Sequence, residues 1–225
     1  MTADTPQDET SDPPLDPDLN DGSPASGDGR RRQRRGDERR QRILDEAVLY
    51  FATNGYRSSG ITGLADRLQM THPGLLYYFG TKDRLLLETV AARVHAERAA
   101  FPAIVQTATF DTLVDVVRWN VTAAHLVRLY SVLAAESFED DAPLHDFFVE
   151  RFRHLRLIIS GVVERGQARG ELDPDVDPGR VARDLLALVL GMETQWLMEP
   201  TAFDLDAAIA AHIDDLRARL EAGAP

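Results

Sequence analysis

A chain of 225 residues with 44% apolar side chains can bury a sizeable core, and its lack of cysteine excludes disulfides and thiolate metal sites, which suits a reducing compartment. No apolar run approaches the roughly 20 residues of a membrane span, and the acidic, proline-rich N-terminus lacks the apolar stretch of a secretory signal, so a soluble cytoplasmic protein without a membrane partner is expected. The formal net charge of −12 argues against nucleic acid at first, but residues 1–29 carry −8, residues 30–84 carry +6 and residues 85–225 carry −10. Nucleic-acid affinity follows local potential, so the basic middle segment is the one to read for a polyanionic partner.

Residues 1–29 hold five prolines and almost no large apolar groups, too little to offset the entropy of ordering. With the run Arg30-Arg31-Arg32-Gln33-Arg34-Arg35 they predict a disordered acidic tail and basic arm over residues 1–36. That run reads either as solvated charge or as an arm that touches phosphates. From Glu38 the pattern turns helical, with Ile43, Ala47 and Phe51 on one stripe and Asn54-Gly55 suited to a left-handed end. A short helix is expected from about Ile61 to Leu68, with Ser59 as its cap and Leu64, Ala65 and Leu68 inward. Thr71 caps a third helix that carries Pro73 in its first turn and ends at Phe79 before Gly80. Thr81 then caps a fourth helix, with Asp83 at the positive end of its dipole.

Three short helices in about 40 residues fit a helix-turn-helix, here placed at residues 37–84. The stretch from Ile61 to Leu85 resembles the TetR/AcrR family of repressors. The end of the first helix matches at Phe51 and Gly55-Tyr56, and the second helix and turn match at Ile61, Leu64, Ala65 and Met70. The third helix and the entry to the fourth match at Leu75, Tyr77, Phe79, Lys82, Asp83 and Leu85. Gln69 stands where a turn glycine is usual, Leu76 where a tyrosine is usual, and Tyr78 where a histidine is usual. The resemblance implies an all-α fold: an N-terminal three-helix DNA-binding domain, then a larger helical ligand-binding and dimerisation domain over residues 85–225. It implies a homodimer on double-stranded operator DNA, released by a small-molecule effector. The alternative is a DNA-binding regulator without such an effector, controlled by a partner protein.

The chemistry of the residues agrees. A recognition helix reads base edges with its N-terminal residues, here Thr71, His72, Pro73 and Gly74. Tyr77 and Tyr78 follow on the next turn and can donate to phosphates, and Thr62 can do so from the second helix. Lys82 resembles the family's phosphate-binding lysine. No acid lies between Arg67 and Lys82.

Beyond residue 85, helices are expected near 102–107, 110–125, 127–138, 142–169, 178–198 and 203–221. The last two carry wide apolar faces. Val181, Leu185 and Leu188 on one, with Ile209, Ile213 and Leu216 on the other, are the candidate dimer interface, as a four-helix bundle between two chains. Trp119, Tyr130, Phe147, Met192 and Trp196 are candidates for an apolar effector pocket. The six histidines show no pair at helical ligand spacing, and no nucleophile elbow, phosphate-binding loop or dinucleotide fingerprint occurs. No catalysis, metal or cofactor is therefore expected.

Overall fold

The computed structural model describes residues 25–221, so the expectations for residues 1–24 lie outside the described residues. Among those described there are ten helices: α1 (Ala25–Asn54), α2 (Ile61–Arg67), α3 (His72–Phe79), α4 (Lys82–Ala100), α5 (Ile104–Thr107), α6 (Phe110–Thr122), α7 (Ala124–Ala135), α8 (His145–Ala168), α9 (Pro178–Met198) and α10 (Leu205–Leu220). The only pairing of β type among them is an isolated bridge between Leu172 and Glu221.

Local chemistry sets most of the boundaries. Thr71, Thr81, Asp177 and Asp204 each accept a backbone N–H two or three residues on, at the starts of α3, α4, α9 and α10. Thr109 and Thr112 form a reciprocal capping box at α6. Gly55 and Gly80 take positive φ at the ends of α1 and α3, where side chains are disfavoured.

Two boundaries differ from the sequence expectation. Residues 25–36, expected as an unordered arm, belong to α1. Arginine, glutamine and glutamate are good helix formers, and Arg34 pairs with Glu38 one turn on at 3.0 Å. Ser59 does not cap α2. The cap position is Gly60, without a side-chain bond, and the Ser59 hydroxyl donates back to the Gly55 carbonyl.

The turn between α2 and α3 closes with a paired motif. The Gln69 N–H reaches the Asp66 carbonyl at 3.0 Å and the Met70 N–H reaches the Ala65 carbonyl at 2.9 Å. That geometry puts Gln69 at φ 54, a left-handed conformation. A non-glycine residue there costs about 1–2 kcal/mol, part of which glycine returns through its freer unfolded chain. Gln69→Gly is expected to stabilise the fold by about 0.5–1 kcal/mol, read as a rise in melting temperature of about 1–3 °C.

Two apolar clusters build the core from residue 43 onward. The first joins Ile43 and Phe51 of α1, Leu64 of α2, Leu75 and Phe79 of α3, and Leu85 and Val90 of α4 to Leu129 and Leu133 of α7 and Phe148 of α8. The second joins α6, α8, α9 and α10 through Val117, Ile159, Val163, Leu185, Trp196, Ile209 and Ile213. The helix-turn-helix thus shares a core with the helices that follow it.

Candidate functional site

The start of α3 is an uncovered surface. His72, Pro73 and Tyr77 are exposed and Gly74 is half-buried, while Leu75 and Phe79 on the opposite side are buried. Tyr77 is 86% exposed, so its ring offers both hydroxyl and edge to a partner. Tyr78 is half-buried against the first cluster, edge-on to Tyr77 with ring centroids 5.7 Å apart. Thr71 accepts the Gly74 N–H at 3.1 Å, which leaves its hydroxyl hydrogen free for a partner. A Cβ on Gly74 would lie 2.9 Å from that same hydroxyl oxygen, so the glycine protects the cap. Thr62 is exposed on α2. Tyr50 donates to the Gly60 carbonyl at 2.9 Å and holds the start of α2. Gly63 leaves room for that hydroxyl, which a Cβ would approach to 2.5 Å.

Lys82 is placed differently from a free surface lysine. Its Nζ donates to the Tyr56 carbonyl at 2.6 Å and lies 4.1 Å from the Tyr56 ring centroid. Burial holds its pKa below the ordinary lysine value, with Glu136 partly offsetting this. Two of its three protons remain for a phosphate. The same turn is held from the other side by Glu136, which follows α7. Its carboxylate accepts the Tyr56 N–H at 2.6 Å and the Arg57 N–H at 3.3 Å. The Tyr56 hydroxyl donates to Asp83 at the start of α4. Sequence reading missed Glu136: it lies about 80 residues from the turn it holds, and no local pattern marks it.

In the second half, the five candidate effector residues do not surround one apolar void. Tyr130 and Phe147 pack on the first cluster, with near-parallel rings 6.4 Å apart. Met192 and Trp196 pack with the second. Trp119 lies edge-on to Phe101, with Arg93 over its face. Between them stands a polar network of Arg93, Glu97, Asn120, Arg151 and Glu193, none of which the hydrophobic pattern singled out.

The candidate dimer residues divide in two. Val181, Leu185, Ile209 and Ile213 are at most 8% exposed, spent in this chain's own core. Leu188 and Leu216 are half-buried and line an open groove of about 650 Å³ between α9 and α10, with His212 and Arg219. The outward face of α9 presents Ala187, Leu190, Gly191, Thr194 and Met198, with Met198 82% exposed. No described helix is long and apolar enough to cross a membrane.

Comparison with known proteins agrees with this architecture. Residues 43–89 match the family described as bacterial regulatory proteins, tetR family, and residues 111–221 match the one described as BetI-type transcriptional repressor, C-terminal. A curated relative, the HTH-type transcriptional regulator AqdR of Rhodococcus erythropolis, is 27% identical over 168 residues, which is 72% of this chain and 77% of that protein. The fold is similar to a TetR-family regulator from Agrobacterium tumefaciens, with a TM-score of 0.67 at 19% identity, covering 83% of this chain and 99% of that one. It is also similar to a transcriptional regulator from Saccharomonospora viridis solved with choline, with a TM-score of 0.66 at 23% identity, covering 80% and 95%. Helix-turn-helix, turn geometry and helical second half agree with both family matches, and the chain belongs to the TetR family of DNA-binding transcriptional regulators.

Proposed function

We propose that two copies of this chain bind an operator as a repressor and that a small molecule entering the second half releases it. The observation that carries the DNA part is the uncovered N-terminal end of α3, with His72, Pro73 and Tyr77 exposed in a stretch without acids. His72 and the Thr71 hydroxyl can hydrogen-bond base edges, and Pro73 can meet a thymine methyl. Gly74 permits close approach. Tyr77, Tyr78, Lys82 and Thr62 donate to phosphates and set the register. Two such helices reading successive major grooves stand about 34–36 Å apart.

The half-exposed residues of α9 and α10, Leu188 and Leu216 with the Leu190 and Met198 face, supply the surface for the second copy. A relative solved with choline supports control by a small molecule. The chain acts in the cytoplasm by binding, without catalysis. Ligand and DNA oppose each other through α4, which packs in the same cluster as α1–α3 and runs on into the second half. The coupling is reciprocal: DNA weakens ligand binding by the factor by which ligand weakens DNA binding.

Fluorescence anisotropy on DNA fragments from the chain's own genomic neighbourhood tests this. Tyr77→Ala and Lys82→Ala are each expected to weaken specific binding about tenfold, the scale of one hydrogen bond to a charged group. Lys82→Ala should also lower the slope of log affinity against log salt by about 1. Unchanged affinity in both variants would remove these residues from the interface. Failure to enrich any sequence from a random DNA library would remove the DNA reading itself.

A further inference from the structure

The polar network between α4, α6, α7, α8 and α9 has no part in reading DNA. Arg93, whose side chain is 9% exposed, lays its guanidinium 4.0 Å from the Trp119 ring centroid. Its Nε is 3.6 Å from Glu97, too far for a hydrogen bond. Arg151 donates to both Glu97 oxygens at 2.9 and 3.4 Å and covers the Tyr130 ring at 3.9 Å. Glu193, 6% exposed, accepts from Asn120 at 2.9 Å. Two buried groups are left without a hydrogen-bond partner, the Arg93 Nε and the Tyr130 hydroxyl. Such orphans cost about 1–3 kcal/mol each and are rare in folded proteins.

Both orphans are donors. An arginine Nε–H can only donate, and burial raises the Tyr130 pKa so that its proton stays. The charges point the same way. Two guanidinium groups face Glu97. Burial shifts Glu193 toward its neutral form, with Asn120 and Arg151 opposing this. His125 nearby is held neutral by desolvation and by Arg93. The aromatic faces that a quaternary ammonium would use are covered by the chain's own arginines.

We infer that this network is the binding site for an organic acid, whose carboxylate accepts hydrogen bonds from the Arg93 Nε and the Tyr130 hydroxyl. Its apolar body lies against Phe147 and Phe148, whose rings are each 6.4 Å from that of Tyr130. The assignment rests on the reading of the chain as a ligand-responsive regulator and names the class of ligand.

Thermal unfolding of the full chain with 2-naphthoate and decanoate as aromatic and alkyl carboxylates, and tetraethylammonium as the cation, tests it. At least one carboxylate is expected to raise the melting temperature in a saturable way. Tyr130→Phe and Arg93→Met should each weaken that binding about tenfold or more while retaining the wild-type melting curve without ligand. If Arg93→Met does not fold, Tyr130→Phe decides. Stabilisation by tetraethylammonium alone, by neither carboxylate, or equally in wild type and Tyr130→Phe overturns the assignment. DNA anisotropy on the same samples separates the two readings. Intact DNA binding without carboxylate stabilisation overturns the ligand class alone, whereas absence of DNA binding overturns the regulator reading.

Discussion

Ile209→Ala is expected to lower the unfolding free energy by about 2–5 kcal/mol, the cost of a cavity in a core that collapses only partly. Ile209 is 0% exposed within a single chain, packed in the cluster that also holds Leu185, Ile213 and Trp196. Its periodicity alone suits either a dimer interface or a monomer core, and the two make different predictions. A residue of the chain's own core destabilises by the same amount at every protein concentration. A residue at an interface between copies weakens association, so its effect depends on concentration. Denaturant unfolding at two protein concentrations distinguishes them, and a uniform shift of the midpoint is expected. Leu190→Asp, on the outward face of α9, should do the reverse: it leaves the fold of one chain intact and shifts the sedimentation equilibrium toward monomer.

Glu136→Ala is expected to cost about 2 kcal/mol and to weaken DNA binding along with it. The carboxylate is the acceptor for two backbone N–H groups of the turn between α1 and α2, and bonds to an ionised acceptor are worth about 1.5–3 kcal/mol each before solvent exposure discounts them. Gly55 makes room for it: φ there is +69, and a Cβ would sit 2.5 Å from the carboxylate oxygen. The same turn holds Lys82 through the Tyr56 carbonyl. Loss of the carboxylate therefore frees both the turn and the lysine proposed to meet a phosphate. Glu136→Gln keeps one acceptor oxygen and should fall between the two. Chemical denaturation reads the stability and anisotropy reads the affinity. An alanine variant within 0.5 kcal/mol of wild type would show that the packing of α7, and not this carboxylate, holds the turn.

The sequence by itself determined what neighbours in the chain decide. Thr71 and Thr81 cap α3 and α4, Pro73 sits in a first turn, and Gly55 and Gly80 end helices, all because those hydrogen bonds and dihedrals span no more than four residues. The all-α architecture and the helix-turn-helix were legible for the same reason, as was the apolar stripe of each long helix. What each stripe meets was not legible. Val181 and Ile209 on the one hand and Leu190 and Met198 on the other are all apolar residues on α9 and α10, and only packing assigns the first pair to the core and leaves the second pair outside. Nor does any local signal mark Glu136 as the partner of Tyr56, or join Arg93, Tyr130, Arg151 and Glu193 from four helices into one buried network. Pairings across tens of residues depend on how the helices cross. That is settled by burial of whole apolar faces, after which the polar groups carried along must find partners or wait for a ligand to supply them.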